Sequence, residues 1–229
     1  AMGVKTHGLA YIAYADSSIP GAVSATAEPV VVRDKGAVAV IDGNRGIAHL
    51  AMSLATSLAT RKARESGIAM VGIRNSTWLG ALGTFLIPIA RDGLLAQMWA
   101  QTNTCKDCAP IGGIDATFST NPVALAFPTG GDPMVADFST ATVAMAKVNQ
   151  MVRLGQRAPE EIFMDKDGKP SADAAVVKAG GSILFTGGRN YGHKGYALSL
   201  WCEALTAVAG GECNNPASQT VQAFNLTVI

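Results

Sequence analysis

The sequence predicts an α/β fold in which a mixed β-sheet is flanked by helices. Short runs of β-branched or apolar residues alternate along the chain with amphipathic segments, which is the pattern of strands joined by helices. Two of these runs follow each other as closely as the strands of a hairpin, whereas others are separated by a helical segment. Hairpins and crossovers together require a sheet that contains both antiparallel and parallel strand pairs.

The composition is that of a compact globular protein. Of 229 residues, 48% are hydrophobic and 15% are charged, so the chain can bury a substantial core. The formal net charge of +1 offers no basic surface for nucleic acid. Gly, Pro, Asp and Arg interrupt each apolar run before it reaches the length of a membrane span, and no signal-peptide pattern opens the chain. We therefore expect a cytoplasmic protein without a nucleic-acid or membrane partner.

Four cysteines are too few for a disulfide framework and fit a reducing compartment. Cys105 and Cys108 have the spacing of a redox pair or of half a zinc site. A zinc ion would need two more ligands, and a thioredoxin-type pair should open a helix, whereas Ala109-Pro110 continues as a loop. We expect no metal, and a metal or redox protein remains a third hypothesis.

The first elements are clear in the pattern. Two strands of a hairpin are predicted at 30–33 and 37–41, each bounded by Gly, Asp or Pro. A helix over 47–66 follows, because leucines recur at every fourth position, its last turn is basic, and Gly67 can cap it.

Strands and helices continue to alternate beyond this point. Further strands are predicted at 68–74, 94–100, 123–127, 134–138 and 182–185. Further helices are predicted at 79–91 with an internal Pro88, at about 141–153 with a Ser/Thr cap at 139–142, and at 196–209. We expect one structural unit with two lobes, one formed by 1–80 with 217–229 and the other by 81–216.

The stretch 187–198 contains His193 and Lys194 between glycines, directly before the predicted helix at 196–209. Glycines allow a backbone to approach a ligand closely, and a helix N-terminus with a lysine suits an anion such as a phosphate. The structural alternative is a glycine-rich turn with a solvated lysine. Neither a dinucleotide fingerprint of the Rossmann type nor a P-loop sequence occurs in the chain.

Two further residues could carry chemistry. His7 lies between small residues and could exchange a proton with a substrate, or could be an ordinary loop histidine. Asp137 ends a strand directly before a Ser/Thr-rich segment, where α/β proteins often contact ligands, or it could simply be a charge near a helix N-terminus.

Together, five ordered motifs resemble the type 2 malate/L-lactate dehydrogenases, whose relatives include ureidoglycolate, sulfolactate and diketogulonate dehydrogenases and cyclic-imine carboxylate reductases. The resemblance covers nearly all of the chain. The motifs are Thr6-His7-Gly8, Asn75-Ser76, Ser119-Thr120-Asn121-Pro122, Val135-Ala136-Asp137-Phe138-Ser139-Thr140 and Gly192-His193-Lys194-Gly195-Tyr196.

The resemblance implies a non-Rossmann nicotinamide-binding fold, usually dimeric, that exchanges hydride between NAD or NADP and a 2-keto, 2-hydroxy or cyclic imino acid. His7 would be the proton donor or acceptor. The residues implied to contact the cofactor are Thr102, Ala136, Asp137, Phe138, Ser139, Thr140, His193 and Lys194. The resemblance also implies a late strand within 217–229 and makes 81–216 the cofactor-binding lobe. Those implied to line the substrate cleft are Tyr11, Thr120 and Asn121.

The chain departs from the family pattern at two positions of the substrate site. Tyr11 stands where the family usually has an arginine for the substrate carboxylate, and Trp78 ends a motif that usually reads Asn-Ser-x-His. A neutral, aromatic pocket would suit a cyclic imine or a less charged keto compound. Family members are also longer, so we expect that segments are missing from this chain. The alternative function is a catalytically silent member that binds a ligand or partner without turnover.

Overall fold

The computed structural model describes residue 24, residues 26–208 and residues 222–229, which form ten strands and five helices. The helices are α1 (Ala48–Ser66), α2 (Gly83–Arg91), α3 (Met145–Leu154), α4 (Ala175–Lys178) and α5 (Gly188–Val208). The strands of the main sheet are β1 (Val30–Lys35), β2 (Val38–Asp42), β3 (Ala69–Ser76), β4 (Ala96–Gln101), β5 (Pro122–Phe127), β6 (Met134–Ser139) and β10 (Gln222–Val228). A small second sheet contains β7 (Phe163–Met164), β8 (Pro170–Ser171) and β9 (Ser182–Ile183).

The main sheet is mixed, as predicted. Its seven strands run in the order β1-β2-β3-β10-β4-β5-β6. The β2–β3 pair is parallel because α1 crosses between these strands, and the other pairs are antiparallel. The strand nearest the end of the chain, β10, lies in the centre of the sheet, and all seven of its residues are buried.

Helices cover both faces of this sheet. Alanine and leucine side chains of α1 and α2 pack with Ile41, Ile73 and Met98 in a core that is almost free of solvent. On the other face, Cys202 and Leu205 of α5 pack against Trp99 and Val123. A separate core joins the small sheet to α3, with Phe163 and Phe185 fully enclosed.

Most predicted elements are confirmed, although several bounds are corrected. The helix predicted at 79–91 begins at Gly83, and the strand predicted at 182–185 ends at Ile183. The helix predicted at 141–153 begins at Met145, and the predicted Ser/Thr cap is wrong. The Ser139 hydroxyl accepts the N–H of Ala141, and the Thr142 hydroxyl donates to the carbonyl of Leu184, so both side chains stabilise the approach to the helix.

The helix predicted at 196–209 begins eight residues earlier, at Gly188. Within it, Gly195 packs so closely that an added Cβ would lie 2.6 Å from the Thr186 nitrogen and 2.7 Å from the Thr140 oxygen. Gly195 therefore allows α5 to pack closely against the protein's own backbone, rather than against a ligand.

No helix in the described part of the chain combines the length and the apolar character that a membrane crossing requires.

Candidate active site

The ends of six strands meet at one edge of the main sheet, and five of their six terminal residues there are polar. The carboxyl ends of β2, β3, β4 and β6 meet there with the amino ends of β5 and β10, as the strand pairings require. We call this the polar edge. It is defined by the terminal residues Asp42, Ser76, Gln101, Pro122, Ser139 and Gln222.

Backbone strain is concentrated at the polar edge. Four described residues other than glycine have a left-handed φ, and all four lie in or beside this edge: Asn44, Arg45, Asn75 and Asn121. Such conformations cost free energy and persist where the surrounding contacts impose them, which is common at functional sites. The geometry therefore points to this edge as the candidate site.

Contacts around Asp42 impose two of these conformations. Its carboxylate accepts from Arg74 Nε at 3.0 Å, from Asn75 Nδ2 at 3.2 Å and from the backbone N–H of Asn44 at 2.9 Å. The β3–β10 register shifts between Phe224 and Gln222, so that the turn of β3 at Asn75 is a bulge. A bulge changes the direction in which the following side chains point, and Ser76 is the first residue after it.

Three buried side chains at the polar edge carry polar atoms that lack a hydrogen-bond partner among the described residues. The atoms are Ser76 Oγ, Gln222 Oε1 and both Nδ2 and Oδ1 of Asn103, and the exposed fractions of these residues are 0%, 6% and 5%. Buried polar atoms almost always have a hydrogen-bond partner, because a buried polar atom without one costs about 1–3 kcal/mol of folding free energy. A bound molecule would supply such partners.

A second buried network holds the loop before β5 in place. Asn121 Oδ1 accepts from the Ser119 hydroxyl at 2.6 Å, and Asn121 Nδ2 donates to Ser199 Oγ at 2.9 Å and to Glu203 Oε1 at 2.8 Å. Burial raises the pKa of Glu203, while the hydrogen bond from Asn121 and the charge of Lys106 oppose the increase. This network fixes α5 to the polar edge.

The structure brings five of the predicted site residues together at this edge. Thr102 follows β4, and its N–H donates to Ser119 Oγ at 3.3 Å. The Thr140 hydroxyl donates to the carbonyl of Thr120 at 3.0 Å, which joins the end of β6 to the start of β5. The five residues are Thr102, Thr120, Asn121, Ser139 and Thr140.

The other predicted residues of β6 point to opposite faces of the sheet. Asp137 Oδ2 accepts the N–H of Gly83 at 2.8 Å, so this carboxylate caps the N-terminus of α2 on one face. Ala136 and Phe138 alternate with it, are exposed, and lie on the other face. Asp137 thus has a structural contact, with a helix other than the one that follows it in the chain.

His193 and Lys194 lie in the second turn of α5 and are exposed, whereas Gly192 and Gly195 face inward. The sequence predicts this pair at the N-terminus of a helix. In the structure the pair lies inside the helix instead. The Lys194 ammonium lies 5.4 Å from the centre of the Tyr191 ring. Both side chains can reach a ligand only on the solvent side of α5.

A cavity of about 640 Å³ opens at the N-terminus of α5 instead. It is lined by Thr142, Glu160, Glu161, Ile162, Gly187, Gly188, Arg189, Asn190 and Tyr191. Arg189 is paired with Glu161 at 3.1 Å, and Glu160 adds a second carboxylate. The charge balance of this cavity suits hydroxyl groups better than a phosphate.

Two predicted residues, His7 and Tyr11, lie outside the described residues, so their predicted roles remain predictions. Trp78, which replaces the family's histidine, is half-buried and follows β3 at the polar edge. Its neighbour Thr77 accepts the N–H of Ala48 at 2.9 Å and so caps α1.

The cysteine pair is not suited to thiolate chemistry. Burial, followed by the charge of Asp107, raises the pKa of Cys105 to about 12, and the same two causes raise the pKa of the buried Cys108. No three His, Cys, Asp or Glu side chains of the described residues are grouped as metal ligands.

Sequence reasoning missed Asn103, Ser199, Glu203 and Gln222. Glu203 had a detectable signal, because it is a lone carboxylate on an otherwise apolar helical segment. Asn103 directly follows the predicted Thr102 but belongs to no pattern that spacing reveals.

The chain is similar to a family of known enzymes. The model of the malate/L-lactate dehydrogenase family matches residues 1–225. The malate dehydrogenase of Pyrococcus abyssi is 32% identical over 213 residues, which cover 91% of this chain and 58% of that protein.

A cyclic-imine reductase matches in both sequence and structure. The Delta(1)-pyrroline-2-carboxylate/Delta(1)-piperideine-2-carboxylate reductase of Pseudomonas syringae pv. tomato is 35% identical over 99% of this chain and 67% of its own length. The crystal structure of the delta1-piperideine-2-carboxylate reductase from the same organism has a TM-score of 0.86, with 33% identity over 98% of this chain and 69% of that one. This chain thus spans about three fifths to two thirds of the length of these relatives.

Proposed function

The chain belongs to the malate/L-lactate dehydrogenase family, and from this premise we propose that it is an oxidoreductase that uses NAD or NADP. Its substrate would be a 2-keto acid, the corresponding 2-hydroxy acid, or a cyclic imino acid. The family resemblance further supports a homodimer located in the cytoplasm.

The observation that carries the proposal is the convergence of separate segments at the polar edge. Residues implied to bind cofactor or substrate, such as Thr102, Asn121 and Thr140, come from distant parts of the sequence and meet there. Strained backbone and buried polar atoms without partners occur at the same place. A site with these properties suits a polar ligand of defined shape.

The described residues fit a nicotinamide nucleotide. The nicotinamide ring carries an uncharged polar substituent, and the unpartnered atoms of Ser76 and Asn103 are uncharged donors and acceptors. Ser139 and Thr140 would hold the cofactor at the end of β6, beside Ala136, Asp137 and Phe138. Thr120 and Asn121 would line the substrate side, and His193 and Lys194 would contact the cofactor from the outer side of α5.

The reaction requires a proton as well as a hydride. A bound nicotinamide cofactor supplies the hydride to the carbonyl or imine carbon. Reduction is complete only when one proton is also added, to the carbonyl oxygen to give the alcohol or to the imine nitrogen to give the amine. We assign this proton to His7, since an imidazole group can both give and take a proton near neutrality.

The replacements at Tyr11 and Trp78 concern substrate choice. An aromatic side chain cannot form the paired hydrogen bonds that an arginine makes with a carboxylate. We therefore propose a substrate whose binding depends less on an arginine paired with its carboxylate, with a cyclic imine as the first candidate. The relative named as a pyrroline- and piperideine-carboxylate reductase makes this class a practical first choice.

A spectrophotometric assay tests the function. The chain is incubated with NADH or NADPH and a panel of keto and cyclic imino acids, and cofactor absorbance is followed. We expect oxidation with at least one acid and loss of turnover in the His7→Ala variant, with cofactor affinity retained. Calorimetry separates the alternative of a catalytically silent member, which would bind cofactor without turnover. Binding of neither cofactor would refute the proposal.

A further inference from the structure

Asn103 is a buried amide whose two polar atoms have no partner among the described residues. Its exposed fraction is 5%, and both Nδ2 and Oδ1 lack a hydrogen bond. Asn121, the buried amide in the loop before β5, by contrast uses both its oxygen and its nitrogen in hydrogen bonds. A buried donor and a buried acceptor that both lack partners are unfavourable and uncommon in folded proteins, so this amide calls for a ligand that would complete its hydrogen bonds.

The position of Asn103 connects it to the candidate site. It follows Thr102 at the end of β4, and β4 pairs with β10 so that Ala223 lies opposite Gln101. On the other side of β10, Gln222 lies opposite Ser76, and both of these side chains also carry a buried atom without a described partner. Buried polar atoms without described partners thus occur at the end of β3, at the start of β10 and just beyond the end of β4, which are three neighbouring strands.

We propose that Asn103 is a cofactor-binding residue that pairs with the carboxamide of the nicotinamide ring. The proposal rests on the proposed function, because it assumes a nicotinamide cofactor. An asparagine amide offers an acceptor and two donors in one plane, and a carboxamide presents the complementary donor and acceptor. Two hydrogen bonds between these groups satisfy both orphan atoms at once.

A carboxylate is a poorer match than a carboxamide. An ionised carboxylate accepts hydrogen bonds only, so it would satisfy Asn103 Nδ2 and leave Oδ1 without a donor. The pairing would also fix the rotation of the carboxamide, and with it the face of the ring that is turned to the substrate. Asn103 therefore acts in orientation of the cofactor.

Two substitutions test the pairing. Asn103→Leu keeps the approximate shape and removes both polar atoms, whereas Asn103→Asp keeps an acceptor and removes the donor. Ser182→Ala is the matched control, because Ser182 Oγ is also buried without a described partner but lies in β9 of the small sheet. Melting temperature of the ligand-free protein and calorimetric Kd values for NADH and NADPH are measured for each variant.

We expect Asn103→Leu to leave the melting temperature unchanged or to raise it, since it removes unmade hydrogen bonds, and to weaken binding of the preferred cofactor about tenfold or more. The reduced 3-acetylpyridine analogue of the cofactor lacks the amide N–H. Asn103→Leu should therefore weaken binding of this analogue much less than it weakens binding of the cofactor itself. Ser182→Ala should bind like the parent.

Several outcomes would overturn the assignment. An unchanged Kd in Asn103→Leu would do so, as would an equal loss for the cofactor and its acetylpyridine analogue. A change confined to the KM of the acid substrate would move Asn103 to the substrate side. If the parent chain binds neither NADH nor NADPH, the proposed function fails and this assignment fails with it.

Discussion

Asn121 Nδ2 lies 2.8 Å from Glu203 Oε1, and this hydrogen bond joins the loop before β5 to the middle of α5. Both residues are buried, with exposed fractions of 0% and 8%. Asn121 also has a left-handed φ of 34°, so the loop is held in a conformation that its own backbone does not favour. The position of the loop therefore depends on a contact 82 residues away in the sequence.

The contact predicts strong energetic coupling between these two residues. Asn121→Ala and Glu203→Ala should each lower the free energy of unfolding by about 1–3 kcal/mol, because each removes the hydrogen bond and leaves a buried polar group of the other residue without that partner. The double variant should lose less than the sum of the two. Urea denaturation measures all three, with the exposed Glu161→Ala as a control expected to cost at most about 1 kcal/mol. Strict additivity would contradict the coupling.

Asp107 predicts a pH dependence of stability. Burial raises its pKa to about 6, and the charge of Lys178 only partly opposes this. Because the folded state holds the proton more tightly than the unfolded state, stability falls as pH rises from about 4 to about 6. The difference from the ordinary value corresponds to about 3 kcal/mol.

Asp107→Asn should therefore be more stable than the parent above pH 6 and lose this advantage near pH 4. Melting temperatures from pH 4 to pH 8 measure the effect, with the exposed Asp167→Asn as control. An advantage that does not change with pH would show that burial of the charge is not its cause.

Gly195 predicts a steric limit inside α5. Gly195→Ala should destabilise the protein by about 1–3 kcal/mol or more, because its Cβ would meet backbone atoms of Thr186 and Thr140 at 2.6–2.7 Å. Gly130→Ala is the control, since no atom lies within 4 Å of its added Cβ. Equal stability of the two variants in urea would mean that α5 can shift away from the sheet without cost.

The bounds of the helices and strands were only partly predictable from the sequence. Strands and helices with strong periodicity, such as α1 and β3, were predicted within two residues of their observed ends. The start of α5 was not, because glycines have low helix propensity and the packing that requires Gly192 and Gly195 is visible only in three dimensions.

The candidate site was partly predictable for a similar reason. Thr120, Asn121 and Thr140 belong to motifs whose order along the chain matches a family. Asn103 and Gln222 have no such motif, and they become noticeable only because they are buried without described partners. The central place of β10 also escapes the sequence, since chain order does not determine strand order.

Lys194 predicts a change in binding without a change in folding. Lys194→Ala should weaken nicotinamide cofactor binding about tenfold, the equivalent of one charge-assisted hydrogen bond. Its effect on stability should be small, because the exposed ammonium only lies near the Tyr191 ring. Calorimetry and thermal unfolding measure the two effects, with the exposed Lys166→Ala as control. Unchanged affinity would return 187–198 to a purely structural role.

A crystal structure of the chain with bound NADH or NADPH tests the central claim most directly. The account predicts that the nicotinamide ring lies at the polar edge, with its carboxamide within hydrogen-bonding distance of Asn103 and with Thr140 beside the cofactor. A ring bound elsewhere, out of hydrogen-bonding reach of every residue of the polar edge, would contradict it.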